Sequence, residues 1–190
     1  MIKRQKITKL IAQYASNKIK LVSCLGRISR DIYSFVDEHN KSNCFFNVGA
    51  MGTTLPLALG LAIVIKDKKI YAIEGDGSIL MNLGGLVTYK RYNPGNLTLF
   101  IIDNKQYETT GGQPSQPKNF DISKVCTSVG LKTKVIKTSK TLEKILNELN
   151  MQIMSFDVVI IKGQVDKISP RITEEPSSIS RKFKLSNSII

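Results

Sequence analysis

Two short polar motifs stand out in this chain because each directly follows an apolar segment. The first is Gly-Asp-Gly-Ser at 75–78 and the second is Asp-Asn at 103–104, with 25 residues (78–102) between the last glycine and the Asp-Asn pair. The carboxylate of Asp76 and the amide oxygen of Asn104 are hard ligands that suit Mg²⁺, which also takes phosphate oxygens. The glycines would let the backbone turn tightly beside such an anion. The motifs therefore predict a site for a diphosphate held through a divalent metal.

A strand, a helix and a second strand are predicted to connect these motifs. Residues 70–74 are typical of a strand, and apolar residues recur at helical spacing over 79–90. Residues 97–102 form a continuous apolar run, which is typical of a parallel strand buried on both faces. Because ligands of α/β sheets bind at the carboxyl ends of the strands, we expect Asp76 and Asn104 to lie together there.

The rest of the chain continues the alternation of strands and helices. Further helices are predicted at 3–15, 28–37, 52–66, 121–129 and 140–154, and further strands at 20–24, 44–47, 132–136 and 157–161. This order predicts an α/β fold with a doubly wound, mostly parallel sheet and helices on both faces. Residues 55–65 are apolar all round and should form a buried helix. Residues 1–165 are expected to form one domain, and 166–190, rich in Ser, Pro and charge, an extended C-terminal arm.

A loop of 15 residues (105–119) follows the second motif. Loops of this length are usually functional or disordered. Because it carries Tyr107, Thr110 and Gln113 beside the predicted metal site, we interpret it as an active-site loop that closes over substrate. A mobile surface loop is the alternative.

Composition restricts the class of protein. With 190 residues and 42% hydrophobic residues, the chain should form one domain with a substantial core. Its longest apolar stretch is too short to span a bilayer, and residues 1–18 have an amphipathic pattern unlike a signal peptide, so a cytoplasmic protein without membrane contact is expected. The three cysteines, Cys24, Cys44 and Cys126, are widely spaced and are expected to be buried thiols rather than zinc ligands.

The net charge of +13 has two interpretations. It could mark a nucleic-acid-binding surface, since basic domains attract phosphate backbones. However, the lysines are spread along the chain without a recognition module. A lysine-rich proteome or an acidic partner subunit is therefore favoured, and no nucleic-acid partner is predicted.

The motifs resemble those of thiamine diphosphate enzymes, whose signature is Gly-Asp-Gly followed at this spacing by Asn-Asn or Asp-Asn. The resemblance extends to 49–52 (GAMG), 75–88 and 103–114 (DNKQYETTGGQP), and more loosely to 26–33 and 170–183. These segments are similar to the separate beta subunit of sulfopyruvate decarboxylase and to the cofactor-binding third of phosphonopyruvate decarboxylase.

The resemblance implies a set of site residues and two cofactors, thiamine diphosphate and Mg²⁺. The metal would be held by Asp76, Asn104 and the backbone carbonyl of Gln106. The carbonyl of Gly49 would accept a hydrogen bond from the aminopyrimidine, and Met51 would bend the cofactor, although an ordinary core position is the alternative for Met51. The expected cofactor-binding residues are Gly26, Ser29, Gly49, Ala50, Met51, Gly75, Asp76, Gly77, Ser78, Asn104, Gln106 and Tyr107. The expected catalytic residues are Met51, Thr110 and Gln113.

The resemblance also implies a reaction in which a small anionic 2-oxo acid, 3-sulfopyruvate or 3-phosphonopyruvate, loses CO₂ and an aldehyde is released. In the family, the glutamate that activates the cofactor lies on a separate pyrimidine-binding domain. No segment of this chain resembles that domain, so a partner subunit and a hetero-oligomer are expected. Thr110 stands where pyruvate decarboxylase-like enzymes have an acid. An acetolactate synthase-like carboligase subunit and a non-catalytic thiamine diphosphate-binding protein are the alternatives. Arg27 and Arg30 are candidates for anion contact, and the alternative is a helix start with Ser29 near the cap and Arg30 in solvent. Glu74 is expected to be a strand-end residue.

Overall fold

The computed structural model describes residues 1–187, which form eight α-helices and nine strands. The helices are α1 (Arg4–Ala12), α2 (Arg27–Phe35), α3 (Thr54–Val64), α4 (Asp76–Leu80), α5 (Gly84–Tyr92), α6 (Ile122–Ser128), α7 (Ser139–Asn150) and α8 (Pro176–Ser186). The strands are β1 (Ile2–Lys3), β2 (Ile19–Ser23), β3 (Cys44–Phe46), β4 (Lys69–Gly75), β5 (Leu97–Asp103), β6 (Gln106–Tyr107), β7 (Gln113–Pro114), β8 (Thr133–Ile136) and β9 (Val158–Gln164). A 3₁₀ helix occupies Glu38–Asn43.

Seven strands form one parallel sheet in the order β1-β9-β5-β4-β2-β3, with β8 also pairing with β9. After β3 the chain crosses back to place β4 on the other side of β2, so the direction of winding reverses between β2 and β4. Such a reversal is where doubly wound sheets bind ligands. The predicted α/β fold with a mostly parallel sheet is confirmed.

Apolar side chains pack against both faces of the sheet. One core joins α1, α2, α7 and α8 to the first face, through residues such as Ile7, Ile32 and Leu146. The other joins α3, α5 and α6 to the opposite face, through residues such as Leu55 and Leu86. All seven residues of β5 are buried, which confirms the predicted strand buried on both faces. The helices therefore lie on both faces, as predicted.

The single helix predicted over 79–90 is wrong, because two helices, α4 and α5, replace it. Asn82 lies between them, and its Oδ1 accepts a hydrogen bond from the backbone N–H of Gly85 at 3.2 Å. Its Nδ2 donates to the carbonyl of Gly52 at 2.9 Å. A side chain that bonds to backbone groups in this way competes with helix continuation, and two successive glycines lower helix propensity further.

The prediction that the apolar helix is wholly buried is also wrong. On α3 the residues Leu55, Ala58 and Leu59 are buried, but Leu57 is 36% and Val64 is 72% exposed. No described element packs on this outer face closely enough to cover it. An exposed apolar surface of this kind often marks an interaction site.

The C-terminal segment is not wholly extended, because residues Pro176–Ser186 form α8. Proline at the first turn of a helix is well tolerated. Ile179 and Phe183 then lie four apart on one face and are buried, with the Phe183 ring 5.6 Å from that of Phe45. The prediction missed this amphipathic spacing within a polar composition. The last residues of the predicted arm, 188–190, lie outside the described part of the chain, and the domain boundary at 165 stays a prediction.

The three cysteines are buried and free, as predicted. Burial raises the pKa of the Cys44 and Cys126 thiols to about 12. Within residues 1–187, no helix has the length and apolar character needed to cross a membrane.

Candidate active site

The carboxyl ends of β2, β4 and β5 enclose a cavity of about 160 Å³. Strands β4 and β5 are paired so that Gly75 lies beside Ile102, which places the residues that follow each strand next to one another. The cavity is lined by Arg4, Cys24, Leu25, Arg27, Ile28, Met51, Gly75, Asp76, Gly77, Ser78, Ile102, Asn104, Gln106, Tyr107, Glu108, Thr109 and Thr110. The two sequence motifs therefore meet at one site.

Asp76 is buried at the start of α4, and its carboxylate accepts hydrogen bonds from the loop that follows β5. The hydroxyl of Ser115 donates a hydrogen bond to Asp76 Oδ2 at 2.5 Å, and Gln116 Nε2 donates one to the same oxygen at 3.2 Å. Because both side-chain hydrogen bonds end on Oδ2, they set the orientation of the carboxylate and leave Oδ1 without a side-chain donor among the described residues. Burial raises the pKa of Asp76, an effect that the hydrogen bond from Ser115 opposes and the nearby Asp103 carboxylate reinforces.

Asp103 is buried near this carboxylate and forms an ion pair with Lys162. Lys162 Nζ lies 2.5 Å from Asp103 Oδ2, and Gln116 Nε2 donates to Asp103 Oδ1 at 2.9 Å. Gln116 thus bridges Asp103 and Asp76. The pairing with Lys162 compensates one of the two buried negative charges, which leaves the charge of Asp76 for a bound cation to compensate.

Asn104 follows β5 directly, and the backbone reverses immediately after it. Lys105 has the left-handed φ of 61°, which is uncommon for a residue with a side chain and often marks a functional site. The reversal starts the β6–β7 hairpin, which places Gln106 beside the motif. Asn104 Oδ1 accepts a hydrogen bond from the backbone N–H of Gln106 at 3.1 Å and keeps a second lone pair for a metal ion.

The hairpin folds back over the glycine turn. A Cβ added to Gly77 would lie 2.7 Å from Cδ1 of the Tyr107 ring, so only glycine fits beneath this ring. Ser78 makes a second link, because its Oγ accepts a hydrogen bond from the backbone N–H of Gly52 at 3.0 Å. The glycine turn is therefore packed between the β6–β7 hairpin and the segment at 49–52.

The predicted cofactor-binding residues fall into three groups. Met51, Gly75, Asp76, Gly77, Ser78, Asn104, Gln106 and Tyr107 line the cavity, as does the predicted catalytic residue Thr110. Gly26, Ser29 and Gly49 line a neighbouring cavity of about 390 Å³. Ala50 and Gln113 line neither cavity.

The residues outside the main cavity have identifiable contacts. Gly26, at a φ of 80°, brings the start of α2 so close to Thr109 that an added Cβ would lie 3.0 Å from its Oγ1. The Ala50 carbonyl accepts a hydrogen bond from Thr53 Oγ1 at 3.0 Å. Gln113 is exposed and holds the loop by accepting a hydrogen bond from Thr110 Oγ1 at 3.0 Å.

Glu74 is completely buried at the end of β4, and it does not line either cavity. Neither of its carboxylate oxygens has a well-formed hydrogen bond to another described residue. Burial raises the pKa of Glu74 to about 7, which the nearby hydroxyls of Ser78 and Thr54 oppose. Its placement agrees with a strand-end residue.

Several contributors to the site were not among the predicted site residues: Arg4, Arg27, Glu108, Ser115 and Gln116. The sequence indicates Arg27 only as a candidate for anion contact. In the structure Arg27 lines the main cavity, whereas Arg30 lines the neighbouring one. Ser115 and Gln116 lie in the long loop, so its length was the signal that could have identified them. Arg4 lies 104 positions before its partner Glu108, and no local pattern connects them.

The donors present at this edge fit a magnesium ion. Asp76 would contribute a carboxylate, Asn104 an amide oxygen and Gln106 a backbone carbonyl, since all three residues line one cavity. Mg²⁺ prefers oxygen ligands and uses few protein donors when phosphate oxygens complete its coordination. The glycine turn closed by Tyr107 fits a phosphate-bearing ligand, and Arg27, which is ion-paired with Glu108, lines the same cavity.

Comparison with known proteins adds family information to this geometry. The model of the family described as "Thiamine pyrophosphate enzyme, C-terminal TPP binding domain" matches residues 24–160. The chain is 42% identical over 112 residues to sulfopyruvate decarboxylase subunit beta of Methanothermobacter thermautotrophicus, covering 58% of each protein. It is 39% identical over 143 residues to the same subunit of Methanocaldococcus jannaschii, covering 75% of this chain and 74% of that one.

More distant similarities extend to single-chain enzymes. The chain is 29% identical over 170 residues to phosphonopyruvate decarboxylase of Streptomyces viridochromogenes, covering 86% of this chain but 41% of that protein. Its fold matches that of the thiamine diphosphate-dependent 4-hydroxybenzoylformate decarboxylase of Rhodococcus jostii RHA1, with a TM-score of 0.71 and 17% identity. That match covers 86% of this chain and 33% of the solved chain. The chain thus corresponds to one part of these larger proteins.

Proposed function

The chain belongs to the family of thiamine pyrophosphate enzymes, matching their C-terminal cofactor-binding domain, and we propose that it is the cofactor-binding subunit of a two-subunit 2-oxo acid decarboxylase. The proposed substrate is 3-sulfopyruvate or 3-phosphonopyruvate, and the products are CO₂ and an aldehyde. The observation that carries the proposal is the meeting of Asp76, Asn104 and Gln106 at one cavity beside the Gly77 turn. The named relatives, which are decarboxylases of these two substrates, supply the substrate class.

In this proposal thiamine diphosphate, when bound, supplies the nucleophilic carbon that allows a 2-oxo acid to lose CO₂. This chain's residues bind and orient it. Asp76, Asn104 and the Gln106 carbonyl would hold the magnesium ion, and Gly77 and Ser78 would receive the diphosphate at the start of α4. Met51, which faces the cavity from the other side, would support the bent shape of the cofactor. Tyr107 and the loop that contains Thr110 would exclude water from the diphosphate.

Two features of the structure support the need for a partner subunit. The cavity of about 160 Å³ is smaller than the roughly 300–1,000 Å³ of complete ligand sites, so further walls are expected from another chain. The outer face of α3 exposes apolar side chains, and Val87 on α5 and Met81 before it are each 59% exposed. This apolar surface is our candidate for the partner's docking site.

The acids within this chain also favour a partner. Glu108 is tied to Arg4 and Arg27, and Glu74 does not line the cavity, so neither carboxylate is placed to activate the cofactor. We propose that the activating glutamate comes from the pyrimidine-binding domain of the partner. A cytoplasmic location stays a prediction from the sequence.

The isolated chain is therefore expected to consume no 2-oxo acid, even with saturating Mg²⁺ and thiamine diphosphate. Addition of its partner subunit should start aldehyde formation from sulfopyruvate or phosphonopyruvate, measured by a coupled aldehyde assay. Robust decarboxylation by the pure chain would contradict the proposal of a divided active site. Formation of an acetohydroxy acid by the complex would instead support the carboligase alternative, and cofactor binding without turnover in the complex would support the binding-protein alternative.

The neighbouring cavity offers a place for the second anionic group of such a substrate. It is lined by Arg30 and Arg171 together with Gly26, Gly49 and Thr109. Neither arginine is within 4 Å of a carboxylate among residues 1–187, whereas Glu174 of the same wall is paired with Lys182 at 2.6 Å. Arginine is well suited to binding sulfonate and phosphonate oxygens in pairs.

Replacement of Arg30 or Gln113 by alanine is expected to weaken use of the anionic substrate by the complex while the affinity for thiamine diphosphate stays near normal. For Arg30, losing a hydrogen bond to a charged group costs about 1.5–3 kcal/mol, or roughly ten- to a hundredfold in KM. Gln113 lines neither cavity and would act indirectly, by accepting a hydrogen bond from the hydroxyl of Thr110. Steady-state kinetics and cofactor titration on the same preparations would separate the two effects. If both variants keep full activity on both substrates, the specificity belongs to the partner.

A further inference from the structure

A buried ion network forms part of the wall of the cavity that contains the proposed metal site. Arg4, on the first turn of α1, is only 1% exposed although it carries a charge. Its guanidinium donates to the buried carboxylate of Asp31, and its Nε donates to Glu108 Oε2 at 3.0 Å. It also donates to the backbone carbonyls of Lys167 at 2.8 Å and Arg27 at 3.3 Å. Such a buried charge is tolerated only when it is paired in this way, so the position of Arg4 is set by three separate segments: α2, the loop after β5 and the segment at 167.

Glu108 links this network to the site. Its Oε2 accepts from Arg4 and also from Asn104 Nδ2 at 3.3 Å, while its Oε1 accepts from Arg27 at 3.3 Å. The side chain of Glu108 is only 10% exposed. A carboxylate held between two guanidinium groups is strongly localised, because each charge-assisted hydrogen bond restricts its position.

The contact between Glu108 and Asn104 determines which end of the Asn104 amide faces the cavity. A carboxylate can only accept hydrogen bonds, so it selects the NH₂ end of the amide. The amide oxygen is thereby turned away from Glu108, towards the backbone N–H of Gln106 and the proposed metal position. With the amide reversed, its oxygen would face the Glu108 carboxylate and its NH₂ group would face the cation.

We propose that Glu108 is a positioning residue that holds the Asn104 amide with its oxygen towards the divalent cation, and that Arg4 anchors Glu108 from α1. This inference rests on the proposed function, because it presumes that Asn104 is a metal ligand. It explains why a fully buried arginine from the start of the chain reaches a loop more than a hundred positions later. The same contacts tie the loop to α1, α2 and the segment before α8.

The test is a Mg²⁺ titration of the full chain, with its partner subunit where the complex is needed for binding, at fixed thiamine diphosphate. Binding is followed by calorimetry rather than by activity. Glu108→Gln keeps the size of the side chain but replaces one accepting oxygen with an NH₂ group. We expect the Mg²⁺ concentration for half-saturation to rise at least tenfold, and excess Mg²⁺ to restore thiamine diphosphate binding. That recovery distinguishes a misplaced metal ligand from a damaged pocket.

Leu149→Ala is a matched control for a loss of stability. Leu149 is a buried residue of α7, and its carbonyl accepts from Lys69, the first residue of β4, so it lies at the opposite edge of the sheet from the site. It should lower the melting temperature without shifting the Mg²⁺ titration. Glu108→Asp retains the charge that Arg4 needs but is too short to reach both Arg4 and Asn104, so it should fold and still show weakened Mg²⁺ affinity.

The inference is overturned if Glu108→Gln, or Glu108→Asp where the glutamine variant does not fold, titrates like the unmodified chain while Asp76→Ala abolishes binding. The network would then be purely structural. If the unmodified chain and Asp76→Ala behave alike, the metal site itself is wrong and the proposed function fails with it.

Discussion

Asp76→Ala is expected to abolish Mg²⁺-dependent binding of thiamine diphosphate while the fold stays intact. Asp76 is the only carboxylate in the proposed donor set, so alanine removes the one formal negative charge that would face the cation. Burial and the neighbouring Asp103 raise the pKa of Asp76, and the hydrogen bonds from Ser115 and Gln116 oppose this shift. Asp76→Ala removes the charged ligand of the proposed metal site, together with the two hydrogen bonds that Asp76 accepts from Ser115 and Gln116.

The expected loss of affinity is at least a hundredfold in a calorimetric titration with both Mg²⁺ and thiamine diphosphate. Asn104→Ala should have a similar effect, since it removes the second side-chain ligand. Asp67→Ala is the matched control, because Asp67 is an exposed aspartate just before the amino end of β4, away from the site. The unmodified chain should also lose the cofactor in excess chelator. Unchanged affinity in Asp76→Ala would rule out this residue as a metal ligand.

The parts of the site that could be predicted are those encoded by local sequence. A glycine turn after one buried strand and an Asp-Asn pair after the next require only that the two strands be parallel neighbours, and β4 and β5 are. Apolar runs also predicted the buried strands correctly. The hydrogen bonds from Ser115 and Gln116 to Asp76 could not be derived in this way, because they depend on how a long loop folds back across the strand ends.

The wrong predictions have two physical origins. One origin is contact with other segments of the chain. The Asn82 side chain breaks the helix between α4 and α5 by hydrogen bonding to backbone groups, and α8 is stabilised by two apolar residues on the face that packs against β3 and the 3₁₀ helix. The exposed face of α3 has a different cause. Apolarity of a helix predicts that it is covered, but not whether the cover comes from its own chain or another. The Arg4–Glu108 pair belongs to neither group, since no local pattern connects residues so far apart.

Gly77→Ala is expected to have the second large effect on cofactor binding, for a steric reason. The added Cβ would lie 2.7 Å from Cδ1 of Tyr107, closer than real side-chain contacts allow. The ring must therefore move, and the β6–β7 hairpin that carries it also carries Gln106, whose carbonyl is a proposed metal ligand. Overpacking of this kind costs about 1–3 kcal/mol in stability, and displacement of the hairpin should add a loss of thiamine diphosphate affinity of at least tenfold.

Two further variants isolate this cause by calorimetry and thermal unfolding of the same preparations. In Gly60→Ala the added methyl meets no atom within 4 Å, so this exchange within α3 should stabilise the chain without its partner by up to about 1 kcal/mol and leave its cofactor affinity unchanged. Adding Tyr107→Ala to Gly77→Ala removes the ring that the methyl group meets. The double variant should then bind thiamine diphosphate more tightly than Gly77→Ala alone. If Gly77→Ala binds the cofactor like the unmodified chain, close packing of the hairpin on the glycine turn is not needed for binding. If the double variant binds no better than Gly77→Ala, the methyl group itself obstructs the diphosphate, and the backbone at Gly77, rather than the hairpin, is what the cofactor requires.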